Sequence, residues 1–447
     1  MTTQDRTHEI NRRGFLRAAG FAISIPALAQ LTACSNNSGA LGGGNKNELV
    51  VPFNSSPWGA AYKKVAAMYQ EETGVKVTLR EFPYDGLRAA MVNAIRGGNE
   101  TFDLFHLDEP WTGEFYDNKW VAPFTDIDSS FKLDPQIANY SNLAYWDPST
   151  RTGSKSGQVV ALPIEGSLTL FMYRKDLYDK LGLSVSTTFE EALANGRAAQ
   201  KAGMAKYGYV ARAQASTSGQ SVTFDFMPLL YGYGGDWFNE QWKPLVGRPE
   251  AVKAMEMYRD LLTLGPANAN TVGLAEVIAA MQSGDALQIH TVAAAAPQMN
   301  DPKLSNVAGK VGFAPMPAGA AGSVPASNVW SLAIPKANSK ERQQAALKYI
   351  SWLLAKSTQA KFTEAGGIPT RSDVLKANAG QDEALASISS SLAAVKPALR
   401  FPFTPKMTSA TEPALSSMAT GKTPVQSGMT ALAGQLAAIA HEAGYGN

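Results

Sequence analysis

The chain has 447 residues, 45% of them hydrophobic and 17% charged, with 40 basic and 38 acidic side chains. This near balance of charge argues against nucleic acid as a partner. The length exceeds what one hydrophobic core usually organises, so we expect two lobes. The single cysteine excludes an internal disulfide and leaves core burial as the source of stability.

The first 34 residues have the layout of an export signal. Arg12 and Arg13 precede a short apolar stretch, residues 21–33, whereas spanning a bilayer takes about 20 apolar residues. The arginine pair resembles a twin-arginine signal, and the sequence LTAC that ends at Cys34 resembles a bacterial lipobox, whose cysteine carries lipid after cleavage. We therefore predict a signal peptide over residues 1–33 and a lipid anchor on Cys34. The competing interpretation is a cytosolic chain with one inert cysteine.

Residues 34–47 are rich in serine, asparagine and glycine, a composition typical of a flexible tether. A linker of about 13 such residues reaches about 20 Å, which holds a globule close to a membrane. Without the leader, which contains four arginines and two acidic residues, the formal net charge becomes zero. We therefore predict an exported protein, lipid-anchored on the outer face of the cytoplasmic membrane, on the extracellular or periplasmic side.

From residue 48 onward, the spacing of apolar residues predicts strands and helices in alternation. Strands are predicted over 48–53, 75–79 and 102–107, with a helix in each interval. This β-α-β-α-β order indicates a parallel sheet with helices on both faces, in which ligands bind at the carboxyl ends of the strands. Further along, residues 339–364 are predicted to form one long helix, capped by Asn338.

Five segments resemble the family-1 extracellular solute-binding proteins of ABC importers, the group that includes maltose-binding protein. They are FDLFHLD at 102–108, ALPIE at 161–165, MYRKDLY at 172–178, WSLAIP at 330–335 and GGIPTR at 366–371. The resemblance extends over the chain after the leader. It implies an α/β, two-lobe periplasmic-binding-protein fold (type II), in which parallel-sheet lobes are joined by hinge segments and hinge closure traps a ligand between them.

The resemblance also implies how the lobes lie along the chain. The N-terminal lobe is expected to contain residues 46–112 and 326–372, and the C-terminal lobe residues 113–325 and 373–447. It further implies a monomer that captures a neutral monosaccharide, oligosaccharide or polyol. This carbohydrate ligand would pass to the transmembrane subunits of an ABC permease, with no enzymatic activity and no cofactor.

A carbohydrate cleft needs aromatic rings against the C–H faces of the sugar, and carboxylates or amides against its hydroxyls. The alternative role for acidic residues after a strand is capping of the next helix, and for a histidine it is a buried, hydrogen-bonded position. Twelve ligand-binding residues are predicted: Trp58, Tyr84, Asp108, Glu109, Trp111, Glu165, Trp237, Phe238, His290, Asn328, Trp330 and Arg371.

An anionic ligand is the nearest alternative to a neutral sugar. Glycerol-3-phosphate or another anionic solute calls for basic groups in the cleft. Arg174, Arg212 and Arg371 supply this type of charge.

A glycosidase is the remote alternative, because it needs two carboxylates about 5 to 9.5 Å apart. Asp108 or Glu109 together with Glu165 is the pair that the sequence offers. A metal site is not predicted, since the chain after the leader has three histidines and no cysteine pair.

Overall fold

The computed structural model describes residues 47–56, 59–98, 100–138, 140–216 and 219–446. The predicted export signal, Cys34 and Trp58 lie outside the described residues. None of the described helices has both the length and the apolar character of a membrane span.

Twenty-five strands and α-helices are described, and strands and helices alternate from β1 to α3, which ends at Asp117. The elements up to residue 201 are β1 (Glu48–Asn54), α1 (Gly59–Thr73), β2 (Lys76–Phe82), α2 (Tyr84–Arg96), β3 (Phe105–Asp108), α3 (Glu109–Asp117), α4 (Phe124–Ile127), β4 (Tyr145–Trp146), β5 (Gln158–Val159), β6 (Ala161–Arg174), α5 (Lys175–Leu181) and α6 (Phe189–Lys201). The later elements are α7 (Val222–Gly232), α8 (Pro249–Leu262), α9 (Leu274–Ser283), β7 (Gln288–Val292), α10 (Ala296–Met299), β8 (Val311–Ala314), β9 (Ser327–Ala333), α11 (Lys340–Leu353), α12 (Lys356–Glu364), α13 (Ser372–Asn378), α14 (Glu383–Ser391), α15 (Thr404–Ala419) and α16 (Val425–Glu442).

The described strands pair in three sheets. β1 and β2 run parallel, as predicted, with Glu48 opposite Lys76. The largest sheet has the order β3-β9-β6-β7, with β8 also paired to β6, and its strand pairs run antiparallel. β4 and β5 form a short antiparallel pair. β3 is not part of the β1–β2 ladder and pairs antiparallel with β9, which returns from far along the chain. Just before β3, the backbone N–H of Asp103 donates to the carbonyl of Val50 in β1 at 2.8 Å.

The buried apolar side chains of the described residues form four clusters, of which the three largest make up two cores. The first core covers both faces of the strands near the chain start: Leu49 and Val51 pack on one face, and Leu107 on the other. The second core contains β7, β8 and most helices after α5, with Phe171 and Tyr258 fully buried in it. Complete burial of each such side chain contributes about 1.5–3 kcal/mol.

β6 connects the two cores, and its residues Ala161–Arg174 are all buried. Leu162 packs in the first core and Leu170 in the second. β9 passes between the same cores, since Ala326 before it packs in the second core and Leu332 packs in the first. The chain crosses again between Phe362 of the first core and Ile368 of the second, so any hinge motion would depend on this crossing as well as on the shared strand pair.

The segment before β6 adds to the first core. Phe115 and Phe124 are fully buried there, and Trp146 packs edge to face against Tyr116. The change from one core to the other therefore falls within β6 rather than at the predicted boundary, residue 113. We propose that residues 113–164 belong to the N-terminal lobe.

The long helix predicted near residue 350 is divided into α11 and α12. Ala355 interrupts it with an extended backbone, ψ 145°. The carbonyl of Leu353 accepts a hydrogen bond from Gln359, and that of Leu354 accepts one from Arg371. These side chains satisfy carbonyls that a continuous helix would have paired internally.

The predicted cap of this helix is also wrong. Asn338 donates its side-chain amide to the carbonyl of Phe102 at 2.8 Å. Ser339 precedes α11 instead, and its side chain makes no capping hydrogen bond.

Candidate functional site

A cavity of about 490 Å³ lies where strand ends of the first core meet a loop of the second core. Its volume falls within the range of about 300 to 1,000 Å³ that small-molecule sites occupy. The lining residues are Asn54, Ser55, Ser56, Tyr84, Asp85, Asp108, Arg212, Gln214, Ala215, Ser216, Gln220, Ser221, Leu274, Val292, Asn328 and Trp330.

Trp330, on β9, is the larger of the two aromatic side chains that line the cavity, and it is mostly buried. Its ring centroid lies 4.4 Å from that of His106, in a stacked arrangement that Phe53 continues at 4.6 Å from His106. Tyr84 and Trp111 meet the same indole edge to face, at 6.2 and 5.8 Å. Burial lowers the pKa of His106 to about 3, so this ring is neutral. The stack holds Trp330 in one orientation.

Asp108 supplies a carboxylate at the carboxyl end of β3. One oxygen accepts from the Tyr84 hydroxyl at 2.7 Å, and the other accepts from the backbone N–H of Glu109 at 2.9 Å. Burial raises the pKa of Asp108 to about 7, although the hydrogen bond from Tyr84 lowers it. Asp108 therefore caps α3 and lines the cavity at the same time.

The opposite wall carries a buried ion pair. Nε of Arg212 donates to Oδ1 of Asp225 at 2.8 Å, and Nη2 lies 2.6 Å from the same oxygen. The backbone N–H of Arg212 donates to Oδ2, and the guanidinium lies over Phe224 at 4.8 Å. The positive charge beside the cavity is therefore compensated within the protein.

Four lining residues have a buried polar atom with no hydrogen-bond partner among the described residues. These atoms are Oδ1 of Asn54, Oγ of Ser56, Nη2 of Arg212, which is close to its partner carboxylate without the alignment of a hydrogen bond, and Oε1 of Gln220. The amide nitrogen of Gln220 donates to the carbonyl of Leu399 at 3.0 Å, which leaves its oxygen free of that contact. Buried polar groups are normally paired, so this concentration indicates a place for a polar ligand.

Four of the predicted ligand-binding residues line the cavity: Tyr84, Asp108, Asn328 and Trp330. Trp58 lies outside the described residues. Of the polar residues of the second-core wall, Arg212 was considered only for an anionic ligand, and Gln214, Ser216, Gln220 and Ser221 were not predicted. The sequence does contain a polar run over residues 214–221, which is typical of a loop. It gives no indication that this loop lies beside a cavity.

Three predicted residues of the first core do not line the cavity. Trp111 lies behind Tyr84, with ring centroids 5.1 Å apart. Glu109 is fully buried and lies 3.4 Å from Arg400. Glu165 accepts from the Tyr62 hydroxyl at 3.0 Å, and burial raises its pKa to about 7. Trp111 therefore supports the cavity wall from behind, whereas Glu109 and Glu165 are hydrogen-bonded or ion-paired away from the cavity.

Two predicted aromatic residues of the second core also lie away from this cavity. The indole N–H of Trp237 donates to the Tyr231 hydroxyl at 3.2 Å, and Trp237 lines a separate cavity of about 270 Å³. Phe238 packs edge to face against Phe401 at 5.6 Å. Trp237 belongs to the second core and Phe238 packs against it.

His290 and Arg371 are likewise occupied by partners within the protein. Nδ1 of His290 lies 2.7 Å from the Tyr209 hydroxyl, and burial lowers the pKa of this fully buried ring. Arg371 pairs with Asp134 at 2.6 Å and with Asp373 at 3.0 Å. Neither side chain lines the cavity.

No group of three His, Cys, Asp or Glu side chains in the described part of the chain is placed to hold a metal ion. The charged residues that line the cavity are Asp85, Asp108 and Arg212. The wall is therefore a mixture of aromatic, amide, hydroxyl and charged groups.

The family model of bacterial extracellular solute-binding proteins matches residues 54–360. The chain belongs to this family. The matched range contains every residue that lines the cavity. The family predicted from the sequence is thereby confirmed.

Relatives and solved structures of the same kind agree with this assignment. The solute-binding protein is 24% identical over 327 residues to a probable amino-acid ABC transporter periplasmic-binding protein of Sinorhizobium fredii, with 71% of this chain and 72% of the relative covered. It is 26% identical over 264 residues to a mannitol-binding protein of Pseudomonas aeruginosa, with 58% and 57% covered. Maltose-bound MalE3 of T. maritima superposes with a TM-score of 0.76 at 23% identity, covering 87% of this chain and 98% of MalE3. The structural likeness confirms the predicted two-lobe α/β fold.

Proposed function

We propose that this solute-binding protein is the receptor of an ABC importer and captures a neutral sugar or polyol in the cavity beside Trp330. The observation that carries the proposal is the composition of the wall. It combines the rings of Trp330 and Tyr84, the carboxylate of Asp108 and the unpaired amide oxygens of Asn54 and Gln220.

This wall matches the chemistry of a polyhydroxylated ligand. A hydroxyl both donates and accepts, so it pairs with amide and carboxylate oxygens and with a guanidinium nitrogen. Each such hydrogen bond contributes about 0.5–1.5 kcal/mol net, and more when one partner is charged. The apolar C–H face of the ligand packs against the indole of Trp330.

The arginines considered for an anionic ligand all have carboxylate partners. Arg212 pairs with Asp225, and Arg174 donates to both oxygens of Asp176 at 2.8 Å. Arg371 is paired with two aspartates, as described above, and does not line the cavity. A phosphate group in the cavity would meet one compensated cation and the carboxylate at the end of β3, an unfavourable combination.

The ligands in the names of the similar proteins give partial support. Mannitol is a polyol and maltose a neutral sugar, whereas the name of the Sinorhizobium relative points to an amino acid. An amino acid would need a cation for its carboxylate, and Arg212, the cation among the described lining residues, is already paired with Asp225.

We infer that the ligand leaves the protein chemically unchanged. Of the carboxylates considered for a glycosidase pair, Asp108 lines the cavity, whereas Glu109 and Glu165 are bonded to other groups. Capture would instead use closure of the two lobes, in which the ligand shifts the population toward the closed form that the permease recognises.

The predicted lipid anchor would hold the protein at the membrane, where it could deliver its ligand to a permease. We propose export through the signal that contains Arg12 and Arg13, lipid attachment at Cys34, and a tether over residues 34–47. The protein would then act as a monomer at the outer face of the membrane.

A thermal-shift screen of residues 35–447 tests the proposed function. The panel contains hexoses, maltose, mannitol and shorter polyols, the corresponding sugar phosphates, and amino acids. A ligand at about 100 times its Kd stabilises the folded protein by about 2.7 kcal/mol, which raises the Tm measurably. A rise with a neutral sugar or polyol supports the proposal, and a rise confined to phosphorylated compounds or amino acids contradicts it.

A further inference from the structure

The loop before α7 forms much of the second-core wall of the cavity. Ser216, Gln220 and Ser221 line the cavity from this loop. Behind them lies Glu412, a residue of α15 that does not line the cavity.

The carboxylate of Glu412 accepts hydrogen bonds from three backbone groups of this region. One oxygen accepts from the N–H of Ser216 at 2.8 Å. The other accepts from the N–H of Ser221 at 2.9 Å and from that of Thr223 at 3.1 Å. These bonds fix both ends of the lining segment to one side chain.

Two of the bonds lie at the start of α7. Ser221 precedes the helix, and its own side chain makes no capping hydrogen bond. The first N–H groups of a helix have no internal partner, and a negative charge near them is favoured by the helix dipole. Glu412 therefore acts as a cap supplied by another helix.

Glu412 is fully buried, and no Lys, Arg or His among the described residues forms an ion pair with it. Burial raises its pKa, whereas the backbone hydrogen bonds lower it. A buried carboxylate without a cation is destabilising unless its oxygens are well bonded. All three backbone bonds of this carboxylate go to the cavity loop or to the helix that follows it.

We propose that Glu412 is a positioning residue for ligand binding, which holds Ser216, Gln220 and Ser221 against the cavity before the ligand arrives. The role of the loop in binding rests on the proposed function. Because these three lining residues are held in place in advance, binding avoids the entropy cost of ordering them, which would otherwise weaken affinity.

The first test follows amide exchange in the ligand-free protein by NMR and mass spectrometry. The N–H groups of Ser216, Ser221 and Thr223 should be protected in the wild type. The variant Glu412→Gln keeps the size of the side chain and should exchange these amides about tenfold faster or more. Unprotected amides in the wild type, or unchanged exchange in the variant, would overturn the proposal.

The second test is a calorimetric titration with mannitol. Glu412→Gln should raise its Kd about tenfold, with a less favourable binding entropy, because the loop must then be ordered on binding. Asp103→Asn is the matched control, since this buried carboxylate accepts from the N–H of Val50 and pairs with Arg342 away from the cavity. Its Kd should stay within about twofold of the wild type.

An equal Kd for Glu412→Gln and the wild type, despite faster loop exchange, would also overturn the positioning role. Glu412→Ala serves as a second variant with a larger expected effect on exchange. If the wild type binds no compound of the screening panel, the proposed function fails, and the exchange experiment still decides whether Glu412 orders the loop.

Discussion

Arg212 directs two nitrogens at one oxygen of Asp225, with Nε at 2.8 Å and Nη2 at 2.6 Å, and Arg212 also lines the cavity. Both side chains are buried. The pair gives the cavity a hydrogen-bond donor without an uncompensated charge. This arrangement favours a neutral ligand over an anion of the same shape.

Asp225→Asn should change this charge preference. The variant leaves the guanidinium without its counter-charge, so binding of phosphorylated sugars should strengthen relative to neutral compounds, by about tenfold or more in the ratio of Kd values. Breaking a buried pair costs about 3–5 kcal/mol, so the Tm should fall as well. Calorimetry with a sugar and its phosphate measures the ratio.

Asp176→Asn is the matched control for this change, because it breaks the Arg174 pair away from the cavity. Its selectivity should equal that of the wild type. The same shift in selectivity in both variants would show that the charge of Arg212 does not determine preference.

Trp330→Ala should weaken neutral-ligand binding by about thirtyfold or more, since an aromatic anchor in a buried site contributes about 2 kcal/mol or more. The change also removes the ring that stacks on His106, so the free energy of unfolding should fall by about 3–5 kcal/mol. Trp352→Ala is the control, because Trp352 packs on Tyr69 away from the cavity. A Kd for Trp330→Ala within threefold of the control contradicts the site assignment.

Ligand affinity should rise with pH through the titration of Asp108. The ionised carboxylate accepts hydroxyl hydrogens, and its pKa in the free protein is raised to about 7. A ligand that prefers the ionised form releases a proton, so affinity should increase by up to about tenfold per pH unit below the pKa and level off above it. Calorimetry between pH 5.5 and about 8.5 follows this change.

Asp108→Asn should remove this pH dependence, and Glu165→Gln should retain it. Glu165 has a pKa that is similarly raised, but it does not line the cavity. A flat wild-type profile, or loss of the dependence in Glu165→Gln, would show that another group controls it.

Glu165→Gln should stabilise the folded protein at high pH. Its folded-state pKa is raised, so the unfolded chain ionises first, and stability is lost as pH rises from about 4.5 through about 7. The variant should therefore match the wild type near pH 4 and exceed it by about 1–3 kcal/mol above pH 7, as urea unfolding can measure. An equal free energy of unfolding at pH 8 contradicts the raised pKa.

Cys34→Ser should move the protein from the membrane fraction to the soluble exported fraction. The thiol is the attachment point in the predicted lipobox, and the change leaves the arginine pair intact. Fractionation with and without detergent measures the effect. Retention of a lipid on the substituted protein would exclude the lipobox interpretation.

The sequence predicted the first-core wall of the cavity better than the second-core wall. Tyr84 and Asp108 follow or end strands at the carboxyl end, where ligands of α/β sheets bind. An aromatic ring and a carboxylate are also the groups that a sugar needs. Trp330 belongs to a strand that lies beside β3, and this neighbour could be located only through the family resemblance.

The second-core wall depends on contacts between distant parts of the chain. Ser216 and Glu412 are 196 residues apart, and no periodicity relates them. Arg212 was considered as a cation for an anionic ligand. Its ion pair with Asp225 could not be predicted, because it depends on the tertiary structure around the loop. Trp237 lies away from this cavity in the second core, and residue type alone could not separate the two positions, because tryptophan is also highly buried on average.

The crystal structure of the protein with the panel compound that stabilises it most is the most direct test of the central claim. We expect a neutral sugar or polyol in the cavity, with its C–H face on Trp330 and hydroxyls bonded to Asp108, Arg212 and Gln220. Ligand density in another cavity, such as the one beside Trp237, or an anionic group paired with Arg212 would contradict the account.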